Sequence, residues 1–401
     1  GQQRFADPGG AGGLVSAVRP FRPLRRSLLL AAGAAGLLGS ARAGNTLAQD
    51  GAPLGAWPPV VPDRPLDFPR DHGAHPAYRT EWWYLTGWLT DADEAPLGVQ
   101  ITFFRSRTRH DAANPSRFAP TQLLFAHAAI ASARRGRLAH AERSARPGFG
   151  LADFSMSDLD VSIGNWRLRR EPDDRIVARI EDAALELALD FAPPGPPVPQ
   201  GDAGFSRKGP LPTQASWYYS RPQLAVTGAI GGPDGRPTRP VRGHAWLDHE
   251  WSSEILDPQA AGWDWVGLNL DDGSALMAFR IRRRDGGVLW SDANWIAPEH
   301  LAGPGVEPAP RPSAGPPPPL HPVFTALRKW RSPRTGASWP VAMRLAVGDR
   351  VLELDPLLDD QEIDASASTG TVYWEGAVRV FEGAAQVGRG YLELTGYAGT
   401  L

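Results

Sequence analysis

Short runs of β-branched and aromatic residues follow one another along most of this 401-residue chain. Gly, Pro or Asp closes each run within about ten residues, which is typical of short antiparallel strands. No helical segments alternate with these runs, as a parallel βαβ fold would require. About sixteen such strands can be counted, in two similar blocks. The sequence therefore predicts an all-β fold built from two antiparallel barrels or sandwiches.

Two pairs of runs predict hairpins at the two ends of the folded region. Residues 78–90 and 97–105 flank an acidic turn, and residues 371–381 and 388–397 flank a short link. Residues 185–189 also suit a short helix, because Ala, Leu and Glu favour helices. The surrounding sequence limits that helix to little more than two turns.

The N-terminal sequence predicts export from the cytoplasm. Arginines at 19, 22, 25 and 26 precede an apolar run of about eleven residues, which is too short to span a bilayer. Small residues at Ala41 and Ala43 then predict cleavage after Ala43, and the Arg25-Arg26 pair fits a twin-arginine signal. We therefore expect a periplasmic or secreted protein. No cysteine is present to carry a lipid anchor.

Changes in composition predict four segments. Residues 1–43 form an N-terminal extension and export signal, and the Pro- and Gly-rich stretch 44–65 is a linker. A first β domain then covers 66–230 and a second covers 231–401. A break in the strand pattern near 225–240 places the boundary between them.

The segment from Gly243 to Trp251, GHAWLDHEW, holds two histidines, two carboxylates and two tryptophans in nine residues. As a strand it alternates its side chains between two faces. Alternate residues on one face lie roughly 6.5 to 7 Å apart, so a small reactive group fits between His244 and Asp248 against the Trp246 ring. This spacing is typical of an active site. One face takes His244, Trp246, Asp248 and Glu250, and the other takes Ala245, Leu247, His249 and Trp251.

Two other interpretations of GHAWLDHEW stay open. A polar strand face turned to water, with one half-covered tryptophan, is common in antiparallel sheets. The histidines and carboxylates are also metal ligands by type. However, alternation sends His249 to the face opposite Asp248, and no HExxH motif supports a metal site. We therefore predict no metal.

A second carboxylate, Asp264, lies between Trp263 and Trp265 in the run that follows. A hairpin joining the two runs would bring Asp264 near Asp248, and two adjacent carboxylates raise the pKa of one of them. That arrangement yields a general acid at neutral pH. The predicted catalytic residues are therefore Asp248, His244, Trp246 and Asp264.

Aromatic residues from several runs would supply the dry, apolar walls that such an acid needs. A lining of this kind suits a long apolar ligand, although ordinary core packing explains each aromatic residue equally well. The predicted ligand-binding residues are Trp82, Trp83, Tyr84, Trp217, Tyr218, Tyr219 and Trp263.

Composition and missing motifs exclude several classes of function. A net charge of −2 and a pI near 6.6 argue against a nucleic-acid surface, which needs a concentrated excess of Lys and Arg. The sequence has no GxSxG elbow, no GxGxxG after a strand and no Walker loop. The sequence therefore gives no motif support for a serine esterase, a dehydrogenase or an NTPase. We expect no cofactor.

Five segments carry a family resemblance: EWWYLTGWL from Glu81, GHAWLDHEW from Gly243, GWDWVGLNLDDGS from Gly262, YWEGAV from Tyr373 and GYLELTGY from Gly390. In this order they resemble the AttH-like family, over roughly residues 66–401. Carotenoid 1,2-hydratase, also called hydroxyneurosporene synthase, belongs to that broader group. Many other members are labelled predicted secreted hydrolases.

The resemblance implies two lipocalin-like β-barrels packed together, with a ligand cleft near their junction, in an exported or membrane-associated bacterial protein. In the hydratase branch, water adds to a terminal alkene of an acyclic carotenoid without a cofactor. A His-x-Trp motif is implicated there, and it matches His244 and Trp246. Asp248 or Asp264 would donate the proton, the Trp246 ring would stabilise the cation, and His244 would orient water.

Three functions fit these features. A hydratase or hydrolase predicts Asp248 and Asp264 together in a closed aromatic pocket. An exported carrier of a lipid or isoprenoid, working beside a membrane export complex, predicts an open apolar lumen. A scaffold in an envelope complex predicts that the other domain covers GHAWLDHEW and leaves no pocket.

Overall fold

The computed structural model describes residues 57–62, 64–110, 113–116, 118–231, 238–254, 256–301 and 320–399. The predicted export signal, its cleavage after Ala43 and most of the predicted linker lie outside these residues. The described end of the linker packs on the protein: Val60 is buried against Trp217 and Trp251. None of the described helical segments is long and apolar enough to cross a membrane.

The first sheet begins with the predicted N-terminal hairpin and ends with the GHAWLDHEW strand. Its thirteen strands among the described residues are β1 (Thr80–Asp91), β2 (Pro96–Arg107), β3 (Gln122–Ser132), β4 (Arg137–Ala145), β5 (Ala152–Phe154), β6 (Asp160–Ile163), β7 (Trp166–Arg170), β8 (Ile176–Glu181), β9 (Glu186–Ala192), β10 (Val198–Pro199), β11 (Phe205–Arg207), β12 (Ala215–Gly231) and β13 (Arg239–Glu254).

The first sheet curls into a nearly closed barrel. Its strand order is β4-β3-β2-β1-β13-β12-β9-β8-β7-β6-β5, and β3 and β4 come back into contact with β6. The long strand β13 therefore lies mid-sheet, between β1 and β12. Large apolar side chains, including Phe103, Trp166 and Phe191, fill the interior.

The second sheet forms a half-barrel from the remaining nine described strands. These are β14 (Ala260–Leu270), β15 (Ala275–Arg283), β16 (Val288–Ile296), β17 (Val323–Arg331), β18 (Ser338–Val347), β19 (Arg350–Pro356), β20 (Glu362–Ala365), β21 (Thr371–Glu382) and β22 (Ala385–Leu394). The order is β16-β15-β14-β22-β21-β19-β18-β17, with β20 paired to β21. The predicted all-β class, with two packed antiparallel barrels, is confirmed.

Most of the predicted strands are confirmed, and three details differ. The two predicted hairpins are β1 with β2 and β21 with β22. Residues 185–189 lie largely in strand β9, so the helical alternative is wrong. The strand-like sequence at 161–168 folds into two strands, the hairpin of β6 and β7. Two strand-like segments of the sequence, 215–219 and 223–230, form one strand, β12, with an irregular register between Arg221 and Leu224.

The two sheets pack face to face through a shared aromatic cluster. Tyr84, Tyr218 and Trp246 come from the first sheet, and Trp265 and Tyr391 come from the second. A glycine in β2 makes the approach close: a Cβ at Gly98 would lie 2.7 Å from Cβ of Ala377 and 2.8 Å from the hydroxyl oxygen of Tyr391. The region where the two sheets meet is called the seam below.

The chain passes from the first sheet to the second between Glu254 and Ala260. The GHAWLDHEW strand therefore belongs to the first sheet, although the predicted second domain begins at residue 231. Its two hydrogen-bonded neighbours, β1 and β12, decide this placement. The domain boundary at 230/231 itself stays a prediction.

Candidate functional site

Strand β13 presents its two faces to two different surroundings, as alternation predicts. Trp246 joins the aromatic cluster of the seam, while Ala245 and Leu247 point into the first barrel. Asp248 is only 3 % exposed and Glu250 only 6 % exposed. The acidic face is therefore covered by the second sheet, and the alternative of a strand face turned to water is wrong.

Three donors converge on the Asp248 carboxyl group. The Tyr218 hydroxyl donates to Oδ2 at 2.6 Å. The Ser220 hydroxyl and the Trp246 indole N–H both donate to Oδ1, each at 2.6 Å. Burial raises the pKa of Asp248 to about 7, against the opposing effect of these hydrogen bonds and with a further contribution from the negative charge of Glu250. Asp248 thus holds or releases a proton near neutral pH.

Aromatic rings surround this acid. The indole N–H of Trp265 donates to the hydroxyl oxygen of Tyr218 at 3.2 Å. The Trp265 ring meets the rings of Tyr84 and Trp246 edge to face, with centroids 5.3 and 6.3 Å away. Ring faces attract positive charge, so this lining stabilises a cation formed beside Asp248.

Glu250, two positions beyond Asp248, is held as an ion pair. It accepts a hydrogen bond from the Ser216 hydroxyl and lies 2.9 Å from Nζ of Lys208. The same ammonium group lies over the rings of Phe279 and Tyr218, 4.2 and 4.6 Å from their centroids. Glu250 is therefore already bound by a hydroxyl group and a cationic side chain.

The second sheet contributes two further acids that the sequence analysis did not assign to the site. Glu393 accepts a hydrogen bond from the Trp263 indole N–H at 2.9 Å. Burial raises the pKa of Glu393 to about 8, opposed by that bond and reinforced by the charges of Asp248 and Glu250. Glu375 lies on the neighbouring strand, and burial and the charge of Glu393 raise its pKa well above the usual value. The seam thus holds acidic groups from both sheets.

His244 shares a strand face with Trp246 but lies outside the buried part of the site. Its side chain is exposed. Burial of part of the ring and the positive charge of Arg389 lower the pKa of His244, opposed by the charge of Asp271. The His244 side chain is thus in contact with solvent and is not part of the buried surroundings of Asp248.

Asp264 does not lie beside Asp248. The predicted hairpin between their strands is wrong, because β13 pairs with β1 and β12 while β14 pairs with β15 and β22. Asp264 lies 2.6 Å from Nε of Arg280 and 3.2 Å from Nε of Arg282, and it accepts a hydrogen bond from the Tyr397 hydroxyl. Asp264 is therefore bound by two guanidinium groups and a phenol away from Asp248, and it is not carried into the mechanism below.

The predicted ligand-binding residues divide between two places. Trp82, Tyr84, Tyr218 and Trp263 belong to the aromatic cluster of the seam, and Trp82 and Trp263 are only partly buried. The other three residues, Trp83, Trp217 and Tyr219, point to the opposite side of the first sheet. Trp83 stacks on His249, while Trp217 and Tyr219 pack in a separate cluster with Trp251. Alternation along the strands produces this division.

A second buried polar cluster lies on that opposite side. Oε1 of Glu81 lies 2.7 Å from Nδ1 of His75 and 3.0 Å from Nε2 of His249, and Oε2 accepts from Nε of Arg105 at 2.7 Å. Nε2 of His75 lies 3.1 Å from a carboxylate oxygen of Asp71. Although burial alone would raise it, the positive charges of Arg105 and His75 hold the pKa of Glu81 well below its usual value.

Three members of this cluster have the donor types of a metal site. His75, Glu81 and His249 place their donor atoms within 4.8 Å of one another. Each of these atoms already takes part in a hydrogen bond, and the Arg105 guanidinium bound to Glu81 disfavours a second cation. We therefore assign the cluster an anchoring role, which ties residues 71–75 to β1 and β13.

Asp248 does not line either of two concavities on the described surface. One is lined by arginines of β7 and β8, and the other by residues of the β14 end and by Arg350 and Glu382. Asp248 itself is buried, 3 % exposed, under the aromatic cluster of the seam. Partly buried Trp82 and Trp263 mark the side of the seam nearest to solvent.

Comparisons with known proteins place the chain in a family. The family model described as AttH-like matches residues 59–397. A crystal structure described as an AttH protein, from Nitrosomonas europaea, is 45 % identical; the match covers 85 % of this chain and 99 % of that one, with a TM-score of 0.75. Kievitone hydratase from Nectria haematococca has the same fold at 14 % identity, covering 86 % and 97 % of the two chains, with a TM-score of 0.59. No curated protein matches. This chain belongs to the AttH-like family.

Proposed function

We propose that this protein is a hydratase that adds water to a carbon–carbon double bond of an apolar substrate, with Asp248 as the proton donor. The observation that carries this function is a buried carboxyl group whose pKa is raised to about 7 and which is enclosed by aromatic rings. A general acid works best when its pKa lies near the working pH. The reaction requires only protons and water, so the chain itself supplies the chemistry.

The proton leaves Asp248 for one alkene carbon, and the positive charge develops on the other. The rings of Trp246, Trp265 and Tyr84 lie around the acid and stabilise that charge. Once Asp248 is ionised, the hydrogen bonds from Tyr218, Ser220 and Trp246 stabilise the carboxylate. The same three donors therefore lower the energy of the charged state that the reaction creates. Water attacks the cation and forms the C–O bond, and its released proton restores the acid form of Asp248, which completes the addition.

The surroundings of the acid favour an isoprenoid or a similar hydrocarbon. The seam offers aromatic and aliphatic side chains, and an apolar ligand is held mainly by such contacts. Kievitone hydratase shares the fold, and its name records a water-adding reaction. The resemblance to carotenoid 1,2-hydratase points to the same reaction class, with His244 and Trp246 at the matching positions. Because His244 is exposed, we assign it to the entrance and not to the acid.

An exported lipid carrier beside a membrane export complex is the alternative. It requires an open lumen, whereas large side chains fill the described interior of the first barrel. The covered seam is what a scaffold predicts, but a scaffold gains nothing from burying an acid with so raised a pKa. A hydratase accounts for both the covered seam and the raised pKa of the buried acid. We also propose export, on the basis of the arginines and apolar run before Ala43.

Turnover of defined alkenes tests the proposal. Purified protein would be incubated with an acyclic carotenoid and with a shorter acyclic isoprenoid, each in detergent micelles in ¹⁸O-water. Mass spectrometry would then detect incorporation of one labelled water. We expect hydration by the wild type, and a loss of about 10²- to 10⁴-fold in Asp248→Asn. The matched control is Asp271→Asn, because that carboxylate is exposed.

The outcomes separate the competing functions. Equal turnover by wild type and Asp248→Asn would remove Asp248 from the mechanism. Tight binding of either alkene without labelled product would favour the carrier. If the protein neither binds nor hydrates these alkenes, the proposed apolar substrate class is contradicted.

A further inference from the structure

Two carboxyl groups face each other directly in the second sheet, on the side that lines the seam. Glu375 of β21 is the register partner of Glu393 of β22. Directly opposite residues on one sheet face have Cβ atoms about 4.5 to 5.5 Å apart, so their side chains meet. Glu375 is 4 % exposed. This is an unfavourable pairing if both groups are ionised.

The groups around the pair add negative charge and phenols. Asp248 and Glu250 face it from β13, and Tyr84 faces it from β1. Tyr373 and Tyr391 lie beside it on β21 and β22, and Asp264 contributes from β14. Arg379 shares the strand face of Glu375, but it lies 3.5 Å from Asp355. The field of these neighbours therefore favours retention of a proton by the pair.

Two buried polar atoms at this place have no hydrogen-bond partner among the residues that the structure describes. These are Oε2 of Glu375 and the hydroxyl oxygen of Tyr84. Buried polar atoms in native proteins are nearly always satisfied, so unpaired atoms on facing sheets mark a place for a polar guest. A water molecule, or the hydroxyl group of a hydrated product, has the right chemistry. The Trp263 indole N–H fixes the other carboxyl group by its bond to Glu393.

We propose that Glu375 and Glu393, once one of them is ionised, share the remaining proton and together act as the base that accepts a proton from the attacking water. This proposal rests on the proposed hydratase function and names the second acid–base group of that site. Asp248 gives its proton to the alkene, water forms the new C–O bond, and the water O–H bond breaks with transfer of its proton to the ionised member of the pair. The pair then holds two protons and Asp248 none. Transfer of one proton back to Asp248 restores the starting state, so atoms and charge balance.

The shared proton can be measured without a substrate. Infrared difference spectra at pH 9, where Asp248 and one member of the pair are ionised, would report the carbonyl band of the remaining protonated acid. The spectra compare wild type with Glu375→Gln, and wild type with Glu393→Gln. Because one proton is shared, each single variant should remove the same band, and the double variant should remove no more. The control is Glu353→Gln, an exposed residue paired with Arg344, which should leave the band unchanged. Two independent acids would give two additive losses instead.

Turnover tests the role as base. In the alkene assay, Glu393→Gln should lower kcat by about 10²- to 10⁴-fold with little change in KM, because a base acts on water and not on substrate binding. A wild-type kcat in both single variants would overturn the role as base. Absence of the shared band would overturn the pair. If a variant of the pair fails to fold, titration of the carbonyl band in Asp248→Asn between pH 6 and 10 decides: one proton retained at pH 9 supports the pair, and a band absent at that pH contradicts it.

Failure of the proposed function gives a different result. If the shared band is present but the wild type hydrates no alkene, the proposed hydratase function and the role of the pair as base are both contradicted. The shared proton is still supported. If alkenes are hydrated and the band is absent, the hydratase stands without this pair. The spectrum and the assay therefore separate the two claims.

Discussion

Trp246 donates its indole N–H to Oδ1 of Asp248, two positions further along the same strand, at 2.6 Å. Since side chains two apart on a strand share a face, this bond needs no tertiary folding to be within reach. One residue thus covers the acid with its ring and also orients the carboxyl group with its N–H. Substitutions can separate these two effects.

Asp248→Asn should flatten the dependence of stability on pH. The pKa of Asp248 is raised from 3.8 in the unfolded chain to about 7 in the folded one. The folded state therefore holds a proton that the unfolded state has lost, and this stabilisation is complete below about pH 4 and disappears as the pH rises towards 7. Between pH 5 and 7 the wild type should lose about 2 kcal/mol of unfolding free energy through this group.

Urea unfolding at pH 5, 6 and 7 measures the effect. The slope should fall in Asp248→Asn and stay the same in Asp271→Asn. An unchanged slope in Asp248→Asn would show that Asp248 is ionised in the folded protein.

Trp246→Phe should shift the same pH dependence upward. It keeps an aromatic ring but removes a hydrogen bond that favours the carboxylate, so the pKa of Asp248 should rise further. The lost bond should also cost about 1 kcal/mol of stability. In an Asp248→Asn background, Trp246→Phe should no longer alter the pH dependence, which the urea series can measure. A shift that persists there would have to arise from another group.

Gly98→Ala should separate the two sheets slightly and destabilise the protein. The new Cβ would lie 2.7 Å from Cβ of Ala377, closer than two carbon atoms can approach. Overpacking of this kind costs about 1 to 3 kcal/mol. Gly399→Ala serves as the control, because nothing lies within 4 Å of its added Cβ. Equal unfolding midpoints in urea for the two variants would mean that the seam is looser than the structure shows.

Glu81→Gln should be among the most damaging single changes of a charged residue. It would leave the buried Arg105 guanidinium without its anion, which costs about 3 to 5 kcal/mol. Glu353→Gln removes an exposed partner of Arg344 and should cost under about 1 kcal/mol. Thermal unfolding compares the two variants. Dialysis of the wild type against a chelator should leave the unfolding temperature unchanged, and a marked fall would show that His75 and His249 bind a metal ion.

The local part of the structure was predictable from the sequence. Period-two alternation correctly placed His249 on the face of β13 opposite Asp248. Both predicted hairpins formed because a short link leaves two strands few other partners. Those hairpins also contained the signal for the acid pair: the link after residue 382 sets Glu375 opposite Glu393.

The non-local part was not predictable in this way. Nothing in the sequence near GHAWLDHEW reveals that its strand inserts between β1 and β12, more than a hundred residues from β1. The expected contact of Asp248 with Asp264 depended on that missing information. Tyr218 and Ser220, which bind Asp248, sit on β12 and reach it only through the observed register. Their roles follow from strand order, which residue types do not encode.

The two-residue periodicity of strand β13 makes its function depend on its exact length. Its even positions supply Trp246 and Asp248 to the seam, and its odd positions supply His249 and Trp251 to the anchoring cluster. A single inserted or deleted residue within it would exchange the two sets and send an imidazole to the acid's place. Related sequences should therefore differ in residue type along this strand but not in its length, and insertions or deletions should occur outside the strand.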